Sequence, residues 1–146
     1  MIEMVFKINI SDKGKAWKLE TEANALMGKN VGDKIEGSVI NADFGGYELE
    51  ITGGSDNAGF PLSKNIEGIY LRKALLTKGF GMKENIEGLR KRKTLRGKQI
   101  AETTVQINMV VVKHGGKALN EIFPEQNKPK AVEKKEEKKA EAPVVA

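Results

Sequence analysis

The chain has 146 residues, enough for one domain with a modest core, and it is 39% apolar with 25 basic and 20 acidic residues. The absence of cysteine excludes disulfides and thiolate metal sites and fits a reducing cytoplasm. No run of apolar residues is long enough to span a membrane, and MIEMVFKINI has neither the basic flank nor the small-residue cleavage site of a secretory signal.

Charge is placed unevenly. Residues 1–59 hold ten acids against six lysines, whereas residues 60–98 hold eleven basic residues against three acids. A dense local field of one sign points to a polyanionic partner; the plainer reading is a solvated lysine-rich loop.

In chain order, MVFKINI alternates Met4, Phe6, Ile8 and Ile10 with Val5, Lys7 and Asn9, the period of a half-buried strand. SDKGK (11–15) is a turn whose glycine suits positive φ. AWKLE follows with Trp17 and Leu19 on one face, which completes a hairpin. EANALMG (22–28) predicts one or two helical turns ending at Gly28. YELEIT puts Tyr47, Leu49 and Ile51 inside and Glu48, Glu50 and Thr52 outside. IYLRKALLT (69–77) fits a strand or a short helix, and its β-branched and aromatic start favours strand. VQINMVVV repeats the alternation through Val105, Ile107, Met109 and Val111.

These short strands with glycine-rich turns predict a mainly β fold, a small closed or nearly closed β-barrel with short helical turns over residues 1–123. No alternation of strand with long helix supports a doubly wound sheet. Residues 63–98 are expected to form a basic extended arm. Within it, 79–98 has few apolar residues to bury and is expected to be disordered in the isolated chain. From Pro124 the run PEQNKPKAVEKKEEKKAEAPVVA predicts a disordered, mixed-charge tail (124–146), with a transient helix at 131–141.

ITGGSDNAGFP (51–61) invites a phosphate-loop reading, but the glycine spacing is wrong and Phe60-Pro61 stands where Lys-Ser or Lys-Thr would begin a helix. Gly53 and Gly54 are expected to end the preceding strand in a bulge or tight turn. Ser55 or Asp56 would then bond to amides two residues on. Gly53, Gly54, Ser55 and Asp56 also suit a loop close to a nucleic-acid backbone. His114 is the sole histidine and is expected on the surface without a metal. With no cysteine and no second histidine the usual nucleophilic triads are missing, and Glu48 with Glu50 is the solvent face of a strand. No catalytic residue, cofactor or small-molecule substrate is expected.

The basic segment carries the functional signal. EGLRKRKTLRGK holds Arg90, Lys91, Arg92, Lys93, Arg96 and Lys98, and Arg72, Lys73, Lys78 and Lys83 precede it. Arginine forks hold phosphate oxygens in pairs and lysine adds point charge. Between Arg72 and Lys98 Phe80 is the one aromatic, so backbone and shape recognition is expected to outweigh base stacking.

FKINISD (6–12), VGDKIEGS (31–38), YELEITGGSDNAGFP (47–61), LRKRKTLRGKQI (89–100) and VQINMVVVKHG (105–115) together resemble the archaeal and eukaryotic family of small-subunit ribosomal protein six, unrelated to the bacterial protein of that number. The motifs stand in the family's order and span roughly residues 4–116. The resemblance implies a structural component of the small subunit in cytoplasmic ribosomes, with a compact β-barrel and a basic extension. Ribosomal RNA and neighbouring ribosomal proteins are its implied partners, and it implies no enzymatic activity. It places Gly53, Gly54, Ser55 and Asp56 on the family's glycine loop, and Arg90, Lys91, Arg92, Lys93, Arg96 and Gly97 on its basic arm. Glu67, Glu84 and Glu87 depart from the family's tendency to arginine and proline there. The tail, which lacks Ser and Thr, fits an archaeal-type member without phosphorylation control. The alternative is a free small-barrel regulatory protein that binds nucleic acid.

Overall fold

The computed structural model describes residues 4–22 and 24–127. Strand β1 (Phe6–Asp12) and strand β2 (Lys15–Thr21) form the expected first hairpin. Lys13 and Gly14 turn it with φ of 45° and 79°, the doubly positive pair that matches the twist of a two-residue hairpin. A 3-10 turn at Asn24–Leu26 follows, and the chain leaves it at Gly28 with φ of 81°. Next come β3 (Lys34–Glu36), two further 3-10 turns (Gly37–Val39 and Ala42–Phe44) and β4 (Glu48–Asp56). Then follow β5 (Leu71–Leu76), β6 (Lys91–Arg96), β7 (Thr104–Lys113) and the one-turn helix α1 (Leu119–Ile122).

Five strands make one sheet in the order β2-β1-β7-β4-β3, with β1 and β7 parallel and the other pairs antiparallel. The register stacks the apolar phases on one face: Ile8 opposes Ile107, Ile10 opposes Met109, and Ile51 opposes Met109 from the other side. All of these side chains are buried, together with Phe6, Trp17, Leu26, Phe44, Tyr47, Leu49, Ile100 and Leu119. Val105 departs from the expected alternation. A register shift between Ser55 and Asp56 lets β7 turn Thr104 into the interior, where its Oγ1 accepts from the Ala101 amide at 3.2 Å. Val105 is left half-buried.

The expected closed barrel is not found. β2 and β3 are the edges of the sheet and do not pair with each other among the described residues. β3 has only three residues, too few to carry a ladder round. Short backbone bridges take its place. Leu62 donates to Gly54, Ser63 donates to Arg96, and Val31 donates to Lys98. These tie the second sheet, the β5–β6 hairpin, to the end of β4.

The basic arm also differs from expectation. Its second half is not without structure: β6 pairs with β5 from Leu71 opposite Arg96 to Leu76 opposite Lys91. One well-placed side chain anchors it, for Leu95 is buried beside Leu76. At the far end of the fold, residues 124–127 form a turn along β2. The Gln126 amide accepts from the Lys18 N–H at 2.7 Å and donates to the Lys18 carbonyl at 2.9 Å, and Asn127 donates to the Ala16 carbonyl at 2.7 Å. The rest of the expected tail, with its transient helix at 131–141, lies outside the described residues.

Candidate nucleic-acid interface

A two-stranded ribbon presents its side chains in opposed pairs, and each pair shares a face. Leu71 with Arg96, Lys73 with Thr94 and Leu75 with Arg92 share one face of the hairpin; Arg72 with Leu95, Ala74 with Lys93 and Leu76 with Lys91 share the other. The loop between the strands adds Lys78, Lys83 and Arg90, all exposed. The structure therefore gathers the expected cations onto one projecting element.

They are not equivalent. Lys91 pairs with Glu84 at 2.5 Å, and Lys98 reaches Glu67 at 3.5 Å. The hydrogen bond from Lys91 holds the Glu84 carboxyl below its ordinary value, helped by the charges of Lys91 and Lys93. Both pairs are exposed, where such contacts contribute little and yield readily to a phosphate. Arg72, Lys73, Lys78, Lys83, Arg90, Arg92 and Lys93 have no ion pair among the described residues.

Arg96 is the exception. Its Nε donates to Asp56 Oδ2 at 2.7 Å and its Nη1 donates to the Ile69 carbonyl at 2.8 Å. The Asp56 side chain is fully buried, and its Oδ1 accepts from the Phe60 amide at 2.8 Å. Both charges are thus turned into the protein, joining the end of β4 to the end of β6. No local pattern announces this pair; the one hint is an acid inside a glycine loop with a basic run further on.

The glycine loop also differs from expectation. Gly53 and Gly54 do not end β4, which runs through them to Asp56 with a register shift between Ile51 and Gly53. At Gly54 a Cβ would lie 2.3 Å from the Gln106 carbonyl oxygen, so this glycine is needed for close approach to β7. At Gly53 a Cβ would meet nothing within 4 Å. Ser55 stands opposite Gln106 and bridges to Pro61. Asp56 bonds an amide four residues on rather than two.

His114 has a carboxylate neighbour that its own segment does not show: Asp12 of β1, with Nε2–Oδ1 of 3.6 Å. Its ring packs edge-on against Tyr47, with centroids 6.1 Å apart. Among the described residues no three metal-ligating side chains come together. Burial lifts the Tyr47 phenol above its ordinary value, and the carboxylates of Asp12 and Glu121 add to the rise; its hydroxyl donates to the Lys117 carbonyl. Sequence reasoning missed the exposed apolar residues of the arm. Tyr70 is 72% exposed, and Leu71, Leu75, Phe80 and Ile86 are also open to solvent.

Residues 4–124 match the family model described as Ribosomal protein S6e. Relatives include the "Small ribosomal subunit protein eS6" of Methanococcus maripaludis, 44% identical over 118 residues that cover 80% of this chain and 94% of the relative. That of Methanothermobacter thermautotrophicus is 43% identical over 123 residues, covering 82% and 96%. That of Archaeoglobus fulgidus is 43% identical over 128 residues, covering 84% and 98%.

Proposed function

The chain belongs to the ribosomal protein S6e family, and from that premise we propose that it is a structural constituent of the small ribosomal subunit in the cytoplasm, held there mainly by phosphate contacts from the basic arm to ribosomal RNA. The observation that carries this reading is the set of seven cations on and around the hairpin without an ion pair among the described residues. Like charges this close repel one another, and a polyanion relieves that repulsion while releasing counterions. Lys91 and Lys98 join the set by exchanging a carboxylate for a phosphate. Arg96 and Asp56 support it from within, because their ion pair fixes where the hairpin leaves the sheet. Gly53 and Ser55 lie at that junction, beside the route the RNA backbone takes past the arm. We take the folded unit to run through Asn127 rather than to stop at 123, because Gln126 and Asn127 bond to β2.

The test is the salt dependence of binding to protein-free small-subunit RNA. Neutralising about six phosphates makes affinity fall by roughly 10³-fold between 50 and 200 mM salt. An affinity indifferent to salt overturns the reading. Sedimentation of native extract at low salt separates this role from that of a free regulatory protein: the chain travels with small subunits rather than in the soluble fraction.

A further inference from the structure

We propose that the outward face of the β5–β6 hairpin docks a protein segment bearing both acidic and apolar side chains, a neighbour within the small subunit rather than RNA. This rests on the placement in the subunit argued above and divides the arm's cations between two kinds of partner.

The two faces of the hairpin are covered differently. On the inner face, Leu95 is buried and Leu76 is half-buried. The loop packs over both: a Cβ at Gly81 would lie 3.1 Å from Leu76 Cδ1 and 3.4 Å from Leu95 Cδ2. On the outer face the leucines are only partly covered by the described residues. Leu71 is 43% exposed and Leu75 is 59% exposed. They share that face with Lys73, Arg92 and Thr94, and with Arg96 at the end where the ribbon joins the protein.

An apolar pair on a projecting ribbon is costly to leave in water. A phosphodiester backbone offers little apolar surface to cover it, whereas a protein segment offers more, at about 25 cal/mol per Å² buried. Leu71 and Leu75 lie about 13 Å apart along the strand, a spacing that a partner strand or two turns of helix can match. Burying the leucines also dries Lys73 and Arg92, which have no carboxylate among the described residues. A neutral partner would leave those charges unpaired at the interface, so the partner must bring carboxylates. Phosphate binding then falls to Arg72, Lys78, Lys83, Arg90, Lys91, Lys93 and Lys98.

The double substitution Leu71→Ser with Leu75→Ser in the full chain tests the assignment, since neither side chain supports the core and the unfolding midpoint should not move. Affinity for protein-free small-subunit RNA is expected to stay within about twofold, and retention on protein-containing small subunits to fall about tenfold, the scale of burying one or two leucines. Equal losses on both targets would hand this face to RNA, and no loss on either would show it to be idle; each result overturns the proposal. A photoreactive residue at position 75 in native small subunits gives a second reading. An adduct to a peptide containing Asp or Glu supports the proposal, and an adduct to RNA sinks it. Loss of RNA binding by the unsubstituted chain would instead count against the phosphate reading of the arm, and the adduct would still decide this surface.

Discussion

Asp56 and Arg96, forty residues apart in sequence, meet at 2.7 Å where β4 and β6 end. The acid is fully buried and the base nearly so. Each has a further bond, Asp56 from the Phe60 amide and Arg96 to the Ile69 carbonyl, so the pair is held by four segments of chain at once. A loop rich in glycine and an arm rich in charge thereby become one rigid corner. The basic hairpin is aimed by a charge that is itself turned into the protein.

Removing one partner of such a pair strands the other in a poorly solvated site. Asp56→Ala should therefore cost about 3 kcal/mol of stability, at the lower end of the range for broken buried pairs because Arg96 keeps some access to water. Denaturant unfolding followed through Trp17, the one tryptophan, measures it. A change below about 0.5 kcal/mol, the scale of an ordinary surface substitution, would show the pair to be incidental.

Arg96 and the exposed cations should part company in RNA binding. Lys83→Ala and Arg90→Ala each lower the slope of log affinity against log salt by about one and leave stability unchanged. Arg96→Ala leaves the slope intact while lowering the unfolding midpoint. If Arg96→Ala alone flattened the slope, Arg96 would be an RNA contact after all.

The two adjacent glycines make a controlled pair. Gly54→Ala presses a methyl group against the Gln106 carbonyl and Leu62 and should destabilise by about 1–3 kcal/mol. Gly53→Ala places its methyl group in open space and should stay within about 0.5 kcal/mol of the parent. Thermal melts of both variants, run side by side, settle the contrast.

Tyr47 gives the fold an alkaline limit. Its phenol is raised by burial and by Asp12 and Glu121, so the folded state holds the proton after the unfolded chain has lost it. This stability is complete below about pH 10, the ordinary tyrosine value, and drains away as pH rises through the folded value. In a Tyr70→Phe background the remaining phenol, Tyr47, should ionise above about pH 10 by tyrosinate absorbance. Tyr47→Phe should cost about 0.5–1.5 kcal/mol for the lost bond to Lys117, and it should flatten the alkaline decline.

The strands that could be read from the sequence are those whose burial is one-sided. Phe6, Ile8 and Ile10 alternate cleanly, as do Tyr47, Leu49 and Ile51, because one face meets the core and the other meets water. Val105 falls out of the alternation because a bulge shifts the phase of β7, and a bulge leaves no mark in hydrophobic periodicity. β5 was ambiguous for a related reason. Leu71, Leu75 and Leu76 fall on both faces of a ribbon that is covered on one side by its own loop, so no single period describes it. Local pattern located the cationic arm, because charge is visible in composition. It could not separate Arg96 from its neighbours, because an ion pair across forty residues is a property of the folded chain alone.

The side-chain amides of Gln126 and Asn127 stand where a sixth strand would lie beside β2. They answer backbone groups of Ala16 and Lys18 that would otherwise recruit the edge of another molecule. The stopper is encoded 108 residues after Lys18, the position it protects. During synthesis the first hairpin is complete long before its guard arrives, so the nascent chain passes through a period in which that edge is open to stray pairing. A product cut short ahead of Gln126 would keep that period for life, and its failing would be clumping rather than misfolding.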